Sequence, residues 1–236
     1  MMGRPDQHGT AYARTRIGYY DVIVVLFCTF LLISNVSAVK LIELDVLGVD
    51  RWRIVTDGGA FLFPLTYVLG DILAEVYGFR AARRAIVLGF CVSVLASLTF
   101  FVVQQAPAAA DWPNQGAFEA ILGFVPRIVL ASICGYAVGQ LLNAYVLVRI
   151  KERTHEGSLW ARLIGSTLVG EFFDTLVFCT IAFYGVINGG TFLNYVITGY
   201  IYKCAVEIVL LPLTYAVIGW FKRHEPTYAA PVSTTG

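Results

Sequence analysis

Six long apolar runs, separated by polar and arginine-bearing segments, set the pattern of the chain. They cover about Tyr20–Val39, Gly59–Tyr77, Ala85–Val103, Ile128–Val148, Leu163–Val186 and Phe192–Phe221. Each approaches the roughly 20 residues that a helix needs to cross a bilayer. Helices are expected over a β-barrel, which would show short alternating strands. The first run is too long for a signal peptide core and has no clear cleavage site, so it reads as a retained helix. The predicted organisation is an N-terminal tail over residues 1–19, a six-helix transmembrane domain over 20–222 and a C-terminal tail over 223–236.

Lysine and arginine orient these spans. One set of segments carries Arg4, Arg14 and Arg16, then Arg80, Arg83 and Arg84, then Arg149, Lys151, Arg153 and Arg162, then Lys222 and Arg223. The opposite set carries Lys40, Arg51, Arg53 and Arg127. Twelve against four places both termini in the cytoplasm. The first outside loop, residues 40–58, is expected to form a hairpin with Trp52 at the membrane face. In the outside connection from Gln104 to Arg127, Pro107, Pro113 and Gly116 mark turns.

Composition narrows the class. Of 236 residues 58% are hydrophobic and 14% charged, against about 45–50% and about 25% in soluble domains. An ordinary cytosolic enzyme or a disordered chain is excluded on that ground. The net charge of +1 offers no polybasic surface for nucleic acid. Cys28, Cys91, Cys134, Cys179 and Cys204 all lie in apolar runs, without a C-x-x-C pair. They read as small buried hydrophobes, and neither a metal site nor a cofactor is implied.

The charges inside the runs carry the chemistry. A charge at mid-bilayer costs at least about 2.5–3.5 kcal/mol, so such groups face the bundle interior, water or one another. Asp71 and Glu75 share a helix face, as do Glu171 and Asp174, and Lys203 and Glu207. Glu75 can be an ion-paired anchor for Arg80, Arg83 and Arg84. Lys203 either pairs with Glu207 in its own helix or neutralises a carboxylate on a neighbouring one. Gln140 and Asn143 present amides on one face, and Asn35 adds another among Ser34 and Ser37. These amides either bond across helices or read a polar ligand. Tyr67, Tyr136, Phe172, Phe178, Tyr200 and Tyr202 supply aromatic surface, most of it for packing, with one or two able to stack on a planar ligand. Carboxylates, amides and aromatics at mid-depth suit a small, planar, donor-rich solute, because one carboxylate can accept two parallel charge-assisted hydrogen bonds. Two short similarities, Pro64–Tyr67 with Pro212–Tyr215 and Leu69–Asp71 with Val169–Glu171, suggest an internal repeat.

The run Phe63-Pro64-Leu65-Thr66-Tyr67, then Gly70-Asp71, Glu75-Val76-Tyr77-Gly78 and the three arginines resembles the queuosine precursor transporter family, also called the vitamin uptake transporter family. Gly139-Gln140 with Asn143, and Arg162 with Ser166-Thr167, Gly170-Glu171 and Asp174-Thr175, extend the resemblance from about Asp21 to Phe221. The resemblance implies an all-α, six-helix importer in a bacterial inner membrane, similar in shape to the substrate-binding subunits of energy-coupling factor transporters. It implies a 7-deazapurine substrate, 7-cyano-7-deazaguanine or 7-aminomethyl-7-deazaguanine. On that reading Glu171 or Asp174 accepts from the guanine-like edge. Gln140 and Asn143 meet other polar atoms, and Phe172 or Tyr67 stacks. Asp71 and Lys203 bind or exchange partners, and Asn35 completes the candidate set.

Rival classes are distinguishable. A substrate-binding subunit of an ATP-driven energy-coupling factor transporter would need a separate energising module, since the chain has no Walker-type G-x-x-x-x-G-K-[ST]. An intramembrane aspartyl protease would want G-x-G-D where the sequence reads Val68-Leu69-Gly70-Asp71, and a serine type would want a histidine at membrane depth, whereas His8, His155 and His224 lie in the tails or a loop. Small residues in the fourth and fifth runs suit packing within one bundle or across a homodimer.

Overall fold

The structure, a computed structural model, describes residues 18–45, 53–153, 159–226 and 228. Helices dominate: α1 (Tyr20–Ser37), α2 (Phe63–Tyr77), α3 (Phe79–Gln105), α4 (Gln115–Leu122), α5 (Val125–Arg153), α6 (Leu159–Phe183) and α7 (Gly189–His224). Strands β1 (Leu41–Asp45) and β2 (Arg53–Asp57) pair antiparallel, with Leu41 opposite Asp57 and Asp45 opposite Arg53, so the first loop is the expected hairpin. Trp52, Arg51 and the arginines before Gly18 lie outside the described residues.

Among the described residues five stretches are long and apolar enough to cross a membrane: Tyr20–Ser37, Phe79–Gln105, Gln115–Asn143, Gly165–Phe183 and Gly189–His224. The remaining expected span is helical as α2, but its 15 residues reach only about 22 Å, short of a hydrocarbon core of about 30 Å. Pro64 starts α2, where a missing amide hydrogen costs nothing. Gly78 ends it at φ 83°, a backbone state that favours glycine, and α3 begins at the next residue. Arg80, Arg83 and Arg84 therefore sit on the first turns of α3 and not in a loop. Cations at a helix N-terminus oppose the macrodipole. In the long outside connection, Gly116 lies within α4 and not in a turn.

The chain divides into two compact units. The first gathers Met1–Ile33, Leu62–Val92 and Glu207–Gly236. Its core joins Ile23 and Phe27 of α1, Ile72, Leu73 and Val76 of α2, Ala82 and Ala85 of α3 and Ile218 of α7. The Glu75 carboxylate accepts from Lys222 Nζ at 2.6 Å, so its anchor is on α7 and not among the three arginines. Glu225 is buried and accepts from Tyr77 Oη at 2.6 Å and from the Tyr19 amide at 3.1 Å.

The second unit spans Ser34–Phe61 and Ser93–Val206. Its core is built on Ile128 and Ala131 of α5, Cys179, Ala182 and Phe183 of α6, Tyr195 and Val196 of α7 and Val55 of β2. Arg127 donates to the carbonyls of Ile181 at 2.6 Å and Tyr184 at 2.7 Å, capping the end of α6. Outward faces of both units are apolar, including Leu95, Leu98, Phe101 and Val102 on α3 and Ile197, Ile201, Ile208 and Val209 on α7. Such a surface suits lipid, and it holds Cys91, which is exposed where a buried position was expected. Cys179 is buried and the other three are half-buried.

Candidate functional site

The site is built where α5, α6 and α7 meet in the second unit. Gly135, Gly139 and Asn143 recur every fourth residue on α5, and Gly170, Asp174 and Phe178 do so on α6. Each set forms one ridge on its helix face. A methyl group at Gly139 would fall 2.8 Å from Asp174 Cβ and 2.9 Å from the Gly170 carbonyl. One at Gly170 would fall 2.9 Å from Asn143 Cβ. Glycine at these positions lets the two backbones touch, the usual route to close packing in a membrane. Asn143 and Asp174 are thereby pressed into the same seam.

Lys203 reaches this seam from α7. Its ammonium donates to Asp174 Oδ2, and Nζ lies 3.7 Å from Glu171 Oε2. The three side chains are between 13% and 18% exposed, so the ion pairs are largely withdrawn from solvent. Of the two readings left open by the sequence, these ion pairs are the interhelical one. Removing one partner of such a group leaves an uncompensated charge, which is why buried pairs are costly to break. Two carboxylates against one ammonium also leave the cluster rich in acceptors.

Around this cluster the structure leaves polar atoms unused. Asn143 Oδ1 and Thr175 Oγ1 are buried without a hydrogen-bond partner among the described residues. Phe172 is partly exposed and meets Tyr200 edge-on at 5.6 Å, giving an aromatic wall beside Glu171.

The other expected residues are placed differently. Asn35 is buried, with its amide nitrogen 3.5 Å from Ser93 Oγ and its oxygen accepting from Ser132 Oγ at 2.8 Å. That is a structural clamp between α1, α3 and α5. Gln140 lies on an exposed face of α5. Tyr67 and Asp71 belong to α2 in the first unit, where Tyr67 packs on Phe63 at 4.4 Å and Asp71 is exposed.

One cluster was not anticipated. Asp57, at the end of β2, accepts from Tyr195 Oη and from the Gly59 amide at 2.7 Å. Val55 N donates to Asn194 Oδ1 at 3.0 Å, and Tyr202 Oη to the Ala60 carbonyl at 2.8 Å. The hairpin is thus fastened to α7 along the face that carries Lys203 two turns further on. Burial pushes the Asp57 carboxyl above its usual range, against the opposing effects of Tyr195, the Gly59 amide and Lys203. An Asp-Gly-Gly run closing the polar loop was the one sequence signal for it. Among the described residues no group of three His, Cys, Asp or Glu side chains could hold a metal.

Comparison with known proteins places the sequence in a family. Residues 57–217 match the family model described as "Putative vitamin uptake transporter". The chain is 35% identical over 187 residues to a "Probable queuosine precursor transporter" of Bacillus subtilis, covering 78% of this chain and 77% of the relative. It is 31% identical over 166 residues to the "Queuosine precursor transporter" of Escherichia coli, covering 69% and 72%. A Haemophilus influenzae relative named "Probable queuosine precursor transporter" is 26% identical, covering 68% and 67%. No solved structure matches. The relatives are named as transporters, a non-enzymatic function, and the apolar helices fit a multi-pass protein of the bacterial inner membrane. On both the family match and the identity across most of its length, this chain belongs to the vitamin uptake transporter family.

Proposed function

We propose that this protein imports 7-deazapurine precursors of queuosine, 7-cyano-7-deazaguanine or its 7-aminomethyl form, across the inner membrane by alternating access, with both termini in the cytoplasm. The observation that carries the reading is the acceptor-rich cluster of Glu171 and Asp174 around Lys203. The names of the relatives support the substrate class. A guanine edge presents an N–H and an amino group side by side, and one carboxylate can accept from both. Glu171 is the better candidate for that role, because Lys203 is held more closely by Asp174. Asn143 offers a further acceptor for a ring or amino hydrogen. Phe172 supplies an aromatic face.

Binding of 7-cyano-7-deazaguanine and of its 7-aminomethyl form to the purified protein, by calorimetry with guanine and riboflavin as controls, tests the reading. Saturable binding is expected. Glu171→Gln removes a charge and turns a donor toward a donor edge, so affinity should fall by about 1 kcal/mol or more, roughly fivefold or greater. Wild-type protein that ignores both deazaguanines overturns the substrate class. Unchanged affinity in Glu171→Gln overturns the role of that residue.

A further inference from the structure

Thr175 stands apart from the other hydroxyl-bearing residues of these helices. Thr180 donates to the Leu176 carbonyl at 2.7 Å, Thr99 to Leu95 at 2.9 Å and Ser97 to Ser93 at 2.9 Å, each bonding one turn back in its own helix. That back-bond is the default for a helical hydroxyl removed from water. Thr175 is 2% exposed and its Oγ1 makes no such bond. A buried hydroxyl left without a partner is destabilising. In a transporter it is the kind of group that a solute completes.

The surroundings say where it points in chemical terms. Thr175 follows Asp174 directly and lies one turn after Glu171, on the same face of α6. Opposite it on α7 is Gly199, one turn before Lys203. A methyl group at Gly199 would lie 3.5 Å from Thr175 Cγ2, so the α7 residue facing Thr175 here contributes no side chain. Asn143, whose Oδ1 is also buried without a hydrogen-bond partner among the described residues, packs its Cβ against Gly170, the residue before Glu171.

We infer that Thr175 is a specificity-determining residue of the transporter: its hydroxyl donates to the carbonyl oxygen of the solute while Glu171 accepts from the adjoining N–H. The inference rests on the proposed function and deepens it. The carboxylate reads the donor half of a lactam–amine edge, and the threonine reads the acceptor half. A ring with an amino group but no carbonyl would leave the hydroxyl unsatisfied and be rejected, as sites built to hydrogen-bond a group reject analogues that lack it.

The test compares wild type, Thr175→Val and Thr175→Ser in detergent. Two probes are used: 7-cyano-7-deazaguanine and the same ring without its 6-oxo group. Valine keeps the shape and removes the hydroxyl. Without ligand, Thr175→Val should melt a few degrees higher, because an unsatisfied buried group has gone. Its affinity for the oxo probe should fall at least tenfold, and its preference over the deoxo probe should narrow by the same factor without vanishing, because loss of the 6-oxo group also removes the ring N–H that Glu171 reads. Thr175→Ser should restore both. Equal affinity for the oxo probe in wild type and Thr175→Val overturns the assignment and leaves the transporter reading intact. A lower melting temperature for Thr175→Val also overturns it, since the hydroxyl would then serve the fold. Wild type that binds neither probe overturns the substrate reading and the assignment with it.

Discussion

Asp57 shows how one buried carboxyl ties the hairpin to pH. Its ordinary value is 3.8, and burial raises it in the folded protein. Between the unfolded and folded values the native state holds a proton that the unfolded chain has lost. Stability therefore falls as pH rises through that window, and the contribution is fully present below it. Asp57→Asn keeps an acceptor for the Gly59 amide and cannot ionise. Unfolding of wild type and Asp57→Asn across acidic to neutral pH should show a downward slope in the first that is flattened in the second. A similar logic of matched and unmatched groups governs the transport cluster. Lys203 stands against two carboxylates, those of Asp174 and Glu171, and so offsets part of their charge.

The seam between α5 and α6 is where element packing and site geometry become the same problem. Neither helix is bound to the other by a large apolar driving force, since lipid is as apolar as their side chains. Contact is set instead by glycine. A methyl group at Gly170 would sit 2.9 Å from Asn143 Cβ and 3.0 Å from the Gly139 carbonyl, and backbone cannot yield as a flexible side chain can. Gly170→Ala should cost about 1–3 kcal/mol by overpacking, seen as a lower melting temperature, and should weaken solute binding by separating Asn143 from Glu171. Gly116 of α4 is the control, because a methyl group there meets nothing within 4 Å. Gly116→Ala should leave binding unchanged and raise stability by up to about 1 kcal/mol, the helix-propensity difference.

For the whole molecule, α2 decides the topology. Its 15 residues are few for a full crossing, whereas the positive-inside balance of basic residues read from the sequence expects one there. The one-residue junction at Gly78 puts Arg80, Arg83 and Arg84 at the start of α3, where an arginine cluster belongs on the cytoplasmic side. If α2 counts as a crossing, the two termini share a side. Reporter fusions or cysteine labelling at each end should find both in the cytoplasm. Termini on opposite sides would mean that α2 stays within one leaflet or lies at the surface.

Hydrophobic spacing was sufficient for the helices, because a backbone in lipid must satisfy its own hydrogen bonds and long apolar runs have no other way to do so. The hairpin was legible in the same way, as the polar interval between two such runs. Glu171, Asp174 and Lys203 could be marked as important from their cost in lipid, and the family from its spaced motifs. Their pairing could not. A side chain four residues from Lys203 and another on a different helix are equally available in a linear reading, and packing brings Asp174 and Glu171 of α6 to it. Likewise Asn35, Gln140 and Asn143 are alike as amides in a sequence. Tertiary structure gives Asn35 two serines, turns Gln140 to an exposed face and leaves Asn143 Oδ1 without a partner. Thr175 and Asp57 lie beyond a linear reading for the same reason: what matters about each is the partner that three-dimensional packing supplies or withholds.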